Sequence, residues 1–241
     1  MSALPLVLAG PLQSWGSASR FARRGTENAP TKSGVIGLLA AALGRDRTAD
    51  LSDLAALRFG VRVDQPGVRV RDYQTAKHLV TGVSMPVSER FYLSDAVFVA
   101  AVEGDTDLVA DLYRAVRAPV YLPYLGRRSC PPARPVDLGA PVDGTVEEVL
   151  EQTPWQASRW FQRQRNRRWR EEGQVELSTL VDAAPGQTRA DTLRDLPLSF
   201  DPLHRRYALR AVIPGAVRVP NPLVRRAAPP DHDPVSALGG S

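Results

Sequence analysis

This chain is poor in the residues on which many enzyme chemistries depend. It has one cysteine, Cys130, which excludes an internal disulfide and any CxxC metal site. Its histidines are His78, His204 and His232. They show no metal-ligand spacing, and there is no HExxH or GxSxG motif. Metalloenzyme and nucleophile-elbow hydrolase readings therefore have no support, and neither a metal nor a cofactor is expected. No apolar run approaches the ~18 residues of a membrane-spanning helix. The start, Met1-Ser-Ala-Leu-Pro5, lacks a basic n-region, so a cytoplasmic protein without membrane attachment is expected. No internal repeat is visible at solenoid periods.

Lysine is scarce as well. Among 31 basic residues only Lys32 and Lys77 are lysines, and the net charge is +5. Arginine forks suit phosphates and base edges, although a general replacement of Lys by Arg would give the same totals. Clustering carries more information. Pro202 to Pro230 contains six arginines and no Asp or Glu, as expected for contact with a polyanion.

The most organised stretch is 8–44. An apolar strand, Leu4–Leu8, runs into a long loop over 9–30 that bears Trp15 and three arginines. A helix follows over 31–44, with Thr31 at its start and Gly44 at its stop. Strand, polar loop and helix N-terminus make an anion-binding arrangement. A nucleotide P-loop is excluded, because Thr26 and Thr31 stand where its two glycines are required before Lys32-Ser33. A nucleic-acid phosphate remains a suitable ligand for the same helix start.

Further along, the pattern predicts a short helix at Asp50–Leu57 capped by Asp50 or Ser52. A half-buried strand follows at Arg58–Val63, with Arg58, Gly60 and Arg62 on its polar side. Another strand covers Val68–Tyr73. A polar hairpin over 74–90 leads into a long apolar strand, Tyr92–Val102. A helix after Gly104 places Leu108, Val109, Leu112 and Val116 on its core face and ends at Pro119. Val120–Leu125 reads as a strand. The order β–α–β–hairpin–β–α–β is that of ferredoxin-like and RRM-like domains. Beyond it, Thr145-Val-Glu-Glu148 fits a capping box, and Thr153-Pro-Trp-Gln156 reads as a second helix start. Strands are expected at Val175–Val181 and Tyr207–Ile213. Trp155, Trp160, Phe161 and Trp169 lie among six arginines between Arg159 and Arg170. That segment is open to three readings: an RNA-facing helix, a partner surface, or an unfolded basic run.

RNA recognition combines arginines with aromatic faces. Candidates are Trp15, Arg20, Phe21, Arg23 and Arg24 on the opening loop, and Arg69, Arg71 and Tyr73 along one sheet edge. Arg127 and Arg128 come next, and then Arg205, Arg206, Tyr207 and Arg210. Lys77-His78 in the hairpin offers a base and a cation, a pair able to run metal-independent RNA cleavage.

Several blocks resemble one family. Leu8-Ala-Gly-Pro-Leu-Gln-Ser-Trp-Gly16, Ser19-Arg-Phe21, Arg24-Gly-Thr26 and Pro30-Thr-Lys-Ser-Gly-Val-Ile-Gly-Leu-Leu-Ala40 look like the N-terminal signature of Cas5 proteins of the CRISPR-associated Cascade complex. Arg71-Asp-Tyr73, Tyr124-Leu-Gly-Arg-Arg-Ser-Cys-Pro131, Arg194-Asp-Leu-Pro197, Ser199-Phe-Asp201, Arg206-Tyr207 and Arg210 are similar to its subtype I-E form, Cas5e. The resemblance implies an α+β, ferredoxin-like/RRM-like domain over 1–130 with a β-hairpin thumb at about 74–92. A smaller β-rich portion would span 131–225 and a frayed tail 226–241. It also implies a non-catalytic subunit that holds the 5′ handle of crRNA and contacts the Cas7 backbone and the large subunit Cas8e (Cse1). Target DNA would be met only through the complex. The RNA-contacting residues expected are Gln13, Ser14, Trp15, Arg20, Arg23, Arg24, Thr31, Lys32, Ser33, Arg69, Arg71, Tyr73, Lys77, His78, Arg127, Arg128, Arg206 and Arg210. The related Cas5d form cuts RNA with a Tyr/Lys/His set, of which Lys77-His78 offers two. An endoribonuclease that matures repeat RNA is therefore the alternative.

Overall fold

The computed structural model describes residues 1–16, 23–169, 173–184, 186–187 and 190–224. The elements in chain order are β1 (Ser2–Ala9), β2 (Leu12–Gln13), β3 (Arg23–Arg24), α1 (Lys32–Ala42), α2 (Ser52–Ala56), β4 (Arg58–Gln65), β5 (Val68–Gln74), β6 (Ser88–Ser94), β7 (Val97–Gly104), α3 (Thr106–Arg117), β8 (Val142–Asp143), α4 (Val146–Gln152), α5 (Arg159–Trp169), β9 (Gln174–Asp182), β10 (Asp191–Ser199) and β11 (Arg206–Pro220). This is an α+β protein. Seven strands form one sheet in the order β10-β11-β9-β4-β7-β1-β8, paired antiparallel throughout. Every residue of β1 and β7 is buried, as a strand covered on both faces requires.

One face of the sheet carries α1, α2 and α3, joined to it by Leu4, Leu6, Leu8, Phe59, Val61, Phe98, Ala100 and Val102. The other face carries α4, which packs on Ala3, Val99, Ala101 and Val181. Phe161 of α5 lies on Val175, Leu177 and Val219 of the same face, beside Trp155.

A second, small sheet is built on β6. β5 pairs along its whole length, and β2 and β3 share its other edge. β5 and β6 form a hairpin whose tip, 75–87, is closed by a bridge between Lys77 and Ser84. The expected single strand Tyr92–Val102 is thus two strands. Asp95 breaks it with φ 56°, so β6 serves the small sheet and β7 the large one.

α1 starts and stops for identifiable reasons. The Thr31 hydroxyl accepts from Gly34 N at 3.3 Å. At the far end Gly44 adopts φ 77°, its N–H bonds Ala41 O, and Arg45 N–H bonds Ala40 O, a Schellman motif. Val120 N and Tyr121 N add bonds to Ala42 O and Ala41 O. This explains why Val120–Leu125 is not a strand: its first amides cap α1 instead of joining a sheet. The strand expected there is supplied by β8, seventeen residues beyond Leu125.

Two further expectations fail around one ion pair. Arg62 does not face solvent; its side chain and that of Asp64 are fully buried. The Arg62 guanidinium donates to both Asp64 oxygens, at 2.7 and 2.9 Å, and to the carbonyls of Leu150, Thr153 and Pro154. All five of its N–H groups are satisfied, as a buried guanidinium requires. Serving it keeps Thr153–Ser158 out of a helix, with Gln156 N donating to Asp64 at 2.5 Å. The helix expected from Thr153 therefore begins only at Arg159. The capping box at Thr145 and Glu148 forms as expected.

Candidate nucleic-acid interface

A cleft of about 1160 Å³ opens where the first turn of α1 meets three loops. It is larger than the ~300–1,000 Å³ typical of small-molecule sites. Its walls come from residues 14–16 and 24–25, from 121–131, from the turn after α1, and from Phe200, Arg205 and Tyr207. Six arginines line it (Arg24, Arg45, Arg47, Arg127, Arg128 and Arg205) against one acid, Asp46. Tyr121, Tyr124, Phe200 and Tyr207 add aromatic surface.

The loop carrying Arg127 and Arg128 is tightly held. Leu125 N donates to Cys130 O at 2.7 Å, Cys130 N to Arg127 O at 2.8 Å, and Ser14 N to Leu125 O at 3.1 Å. Gly126 has φ 83°, and a Cβ there would sit 1.8 Å from Ser14 O. Only glycine fits. Arg127 lies over the Tyr92 ring at 4.6 Å and donates to Arg24 O at 2.8 Å, tying two walls together. Its Nη1 is shielded from water and has no acceptor among the described residues, a donor whose cost an incoming oxygen would relieve. Arg24, Arg128 and Arg205 are exposed. Arg45 is engaged elsewhere: its hydrogen bond to Asp53 raises its pKa above the ordinary guanidinium value. Cys130 is buried, and burial pushes its thiol pKa up, which disfavours the nucleophilic thiolate.

The opening motif contributes to the cleft differently than expected. Trp15 is fully buried. Its Nε1 donates to Gln13 Oε1 at 3.0 Å, and Gln13 Nε2 donates to Leu8 O and Ala96 O. Ser14 Oγ donates to Phe91 O. Gln13 and Trp15 therefore bind neighbouring protein groups, and so does Ser14, although Ser14, Trp15, Thr31 and Ser33 still form part of the cleft floor. Lys32 is corrected outright. It is 4% exposed, and its Nζ pairs with Asp182 at 2.9 Å. The anion at the α1 N-terminus is the protein's own: Lys32 N donates to Asp195 Oδ2 at 2.8 Å. Arg210 belongs to the same buried cluster. It bonds both Asp195 oxygens, at 2.6 and 3.0 Å, pairs with Asp182, and lies 5.4 Å from the Phe59 ring centroid. Neither Lys32 nor Arg210 faces a ligand, because strands β9, β10 and β11 close over them.

The hairpin holds the rest. Arg69, Arg71 and Tyr73 alternate along β5 and share its outer face with Arg23. Arg71 lies over Tyr73 at 5.0 Å, and Arg23 over Phe91 at 5.3 Å. Arg69 is occupied by Thr26 O and Asn28 Oδ1. Lys77 and His78 sit at the exposed tip, where His78 Nδ1 accepts from Thr81 N at 3.2 Å. Arg206 is exposed at the start of β11, outside the cleft lining. Arg20 and Phe21 lie outside the described residues.

Sequence reasoning missed Arg45, Arg47 and Tyr121, which carry no motif and meet only through the fold, and it gave no site role to Phe200, although Phe200 lies in the Ser199-Phe-Asp201 block. It also missed Asp182 and Asp195; the Arg194-Asp-Leu-Pro197 block was the available signal for the latter. Among the described residues, no group of three or more His, Cys, Asp or Glu could hold a metal ion. No described helix is long and apolar enough to cross a membrane.

The sequence model of the family described as CRISPR-associated protein (Cas_Cas5) matches residues 3–213. The chain is 39% identical over 158 residues to the CRISPR system Cascade subunit CasD of Escherichia coli strain K12, covering 57% of this chain and 70% of that one. A chain from a structure described as a CRISPR RNA-guided surveillance complex superposes with a TM-score of 0.76 at 35% identity, covering 98% of both chains. A crystal structure of a Cas protein gives 0.68 at 37% identity, covering 94% of this chain and all of the other. With a family model spanning both walls of the cleft and relatives of this similarity, the chain belongs to the Cas5 family of CRISPR-associated proteins.

Proposed function

We propose that this chain is a non-catalytic RNA-binding subunit of a type I-E Cascade complex, gripping the 5′ handle of crRNA in the arginine-lined cleft. The observation that carries this reading is the cleft itself: six arginines, one acid and several aromatic side chains around a space larger than is typical of small-molecule sites. Arginines would hold phosphates while aromatic faces stack unpaired bases. The strand order β4-β7-β1-β8, with α1 and α3 as the crossovers, fits a ferredoxin-like core. The β5–β6 hairpin fits the thumb. Its tip exposes Leu79, Val80, Val83, Met85 and Val87, an apolar surface suited to the Cas7 backbone subunit or the large subunit Cas8e. Target DNA would be read by guide pairing, not by this chain.

The test is a filter-binding salt series with labelled handle RNA. Replacing Arg24, Arg128 and Arg205 together with alanine should weaken binding about a hundredfold and reduce the salt slope by about 2, at ~0.7 per lost single-strand contact. Unchanged affinity rejects the cleft as the handle site. The non-catalytic assignment predicts that the purified protein leaves labelled repeat RNA intact in EDTA. Cleavage abolished by His78→Ala would overturn it.

A further inference from the structure

The arginine-rich segment takes no part in the cleft. It folds as α5, on the face of the large sheet opposite α1. Its inner side is committed: Phe161 packs on the Trp155 cluster, Gln162 is buried and donates to Ala157 O, and Arg165 donates to Glu176 O at 2.7 Å. Its outer side carries Arg159, Trp160, Arg163, Gln164 and Arg167, all exposed. Arg159, Arg163 and Arg167 stand four residues apart, so they form a row with about 6 Å between members. α5 contains no acidic residue. Trp160, 55% exposed, is held edge-on to Phe161 with ring centroids 5.8 Å apart.

We infer that the outer face of α5 is a second nucleic-acid contact, one that binds the phosphate backbone of duplex DNA without reading its sequence. A row of arginines with no acid between them is complementary to a polyanion. Shape selects the duplex. A single strand is gripped in a concave groove with successive aromatic platforms. Here, among the described side chains, the face offers one exposed aromatic ring, Trp160, beside a shallow hollow of about 470 Å³ walled by Arg163, Gln164, Arg167 and Arg168, not a succession of platforms, and a helix of this width fits beside or within a major groove about 12 Å wide. Among the described side chains, the face also lacks the apolar stripe that a protein partner would bury. This surface goes beyond the handle-binding reading and lies across the sheet from that cleft, so the two can fail separately.

The experiment measures binding of the full chain to a random-sequence DNA duplex, to single-stranded handle RNA and to polyglutamate. Arg159, Arg163 and Arg167 are changed together, once to Ala and once to Lys. The Ala variant should lose duplex affinity about tenfold or more and reduce the salt slope by about 2.7, at ~0.9 per lost contact. Its RNA affinity should stay within about twofold of the wild type. The Lys variant, which keeps the charges, should retain duplex binding. The inference is overturned if the wild type does not bind duplex, or if polyglutamate binds as tightly. Unchanged duplex affinity in the Ala variant also overturns it, as does equal loss of RNA binding or failure of the Lys variant alongside the Ala variant.

Discussion

The protein contains two concentrations of charge around α1, and they have opposite settings. Behind the helix start, Lys32, Asp182, Asp195 and Arg210 form a closed cluster in which every side chain is buried and has a partner of opposite sign. In front of it, Arg24, Arg128 and Arg205 stand exposed on the cleft walls and form no ion pair among the described residues. The difference shows that positive charge in a motif is not the same as positive charge available to a ligand. The closed cluster holds the walls; the open set leaves its charge exposed to solvent.

That contrast can be broken most severely at Asp195. Asp195→Ala removes the anion from the α1 N-terminus and strips Arg210 of its bidentate partner, leaving two buried cations, Lys32 and Arg210, to share Asp182. Stability should fall by about 3–5 kcal/mol, read as a lowered denaturation midpoint. If thermal and chemical melts are unaffected, the cluster is not what closes the fold. Gly126→Ala sharpens the other side of the comparison. It forces a Cβ against Ser14 O at a positive φ and should cost about 2 kcal/mol or more. RNA affinity should fall further than in a surface control of equal stability. Native-like melting with full affinity would show that the loop tolerates a different path.

The smallest effect should come from an ion pair outside both regions. Arg58 donates to Glu147 at 2.5 and 2.9 Å, tying β4 to α4, and this hydrogen bond holds the Glu147 carboxyl below its usual value. The stabilisation is therefore present above the unfolded-state pKa of about 4.3 and is lost as pH falls through the depressed folded-state value. Glu147 is half exposed, so Glu147→Gln should cost only about 0.5–1 kcal/mol at neutral pH. The two proteins should converge in strong acid. A difference that grows on acidification would contradict the assignment.

Periodic elements were legible in the sequence because burial alone determines them. β1, α1, α3, β9 and the capping box at Thr145 fall where the apolar spacing puts them. Three of the failures share one cause. At Val120, at Arg62 and at Thr153 the backbone or side chain is recruited by a group distant in sequence, and no local pattern records that. The same holds for the site. Arg24, Arg127 and Arg128 were recognisable from their setting, and the structure brings them to one cleft. Lys32 and Arg210 looked similar in sequence, yet their partners lie up to 163 residues away. β10 escaped notice because Pro197 and two register shifts against β11 blur its alternation.

The bond from Lys32 N to Asp195 has a consequence for how the molecule is made. The helix that floors the cleft is translated early, whereas the carboxylate that seats its first turn arrives with the last third of the chain. Phe200, Arg205 and Tyr207, which complete the wall, arrive later still. A nascent or truncated chain would therefore display the opening motif without a finished grip. On the proposed reading of the cleft, a grip on RNA would be complete only once the residues from Asp195 to Tyr207 are in place.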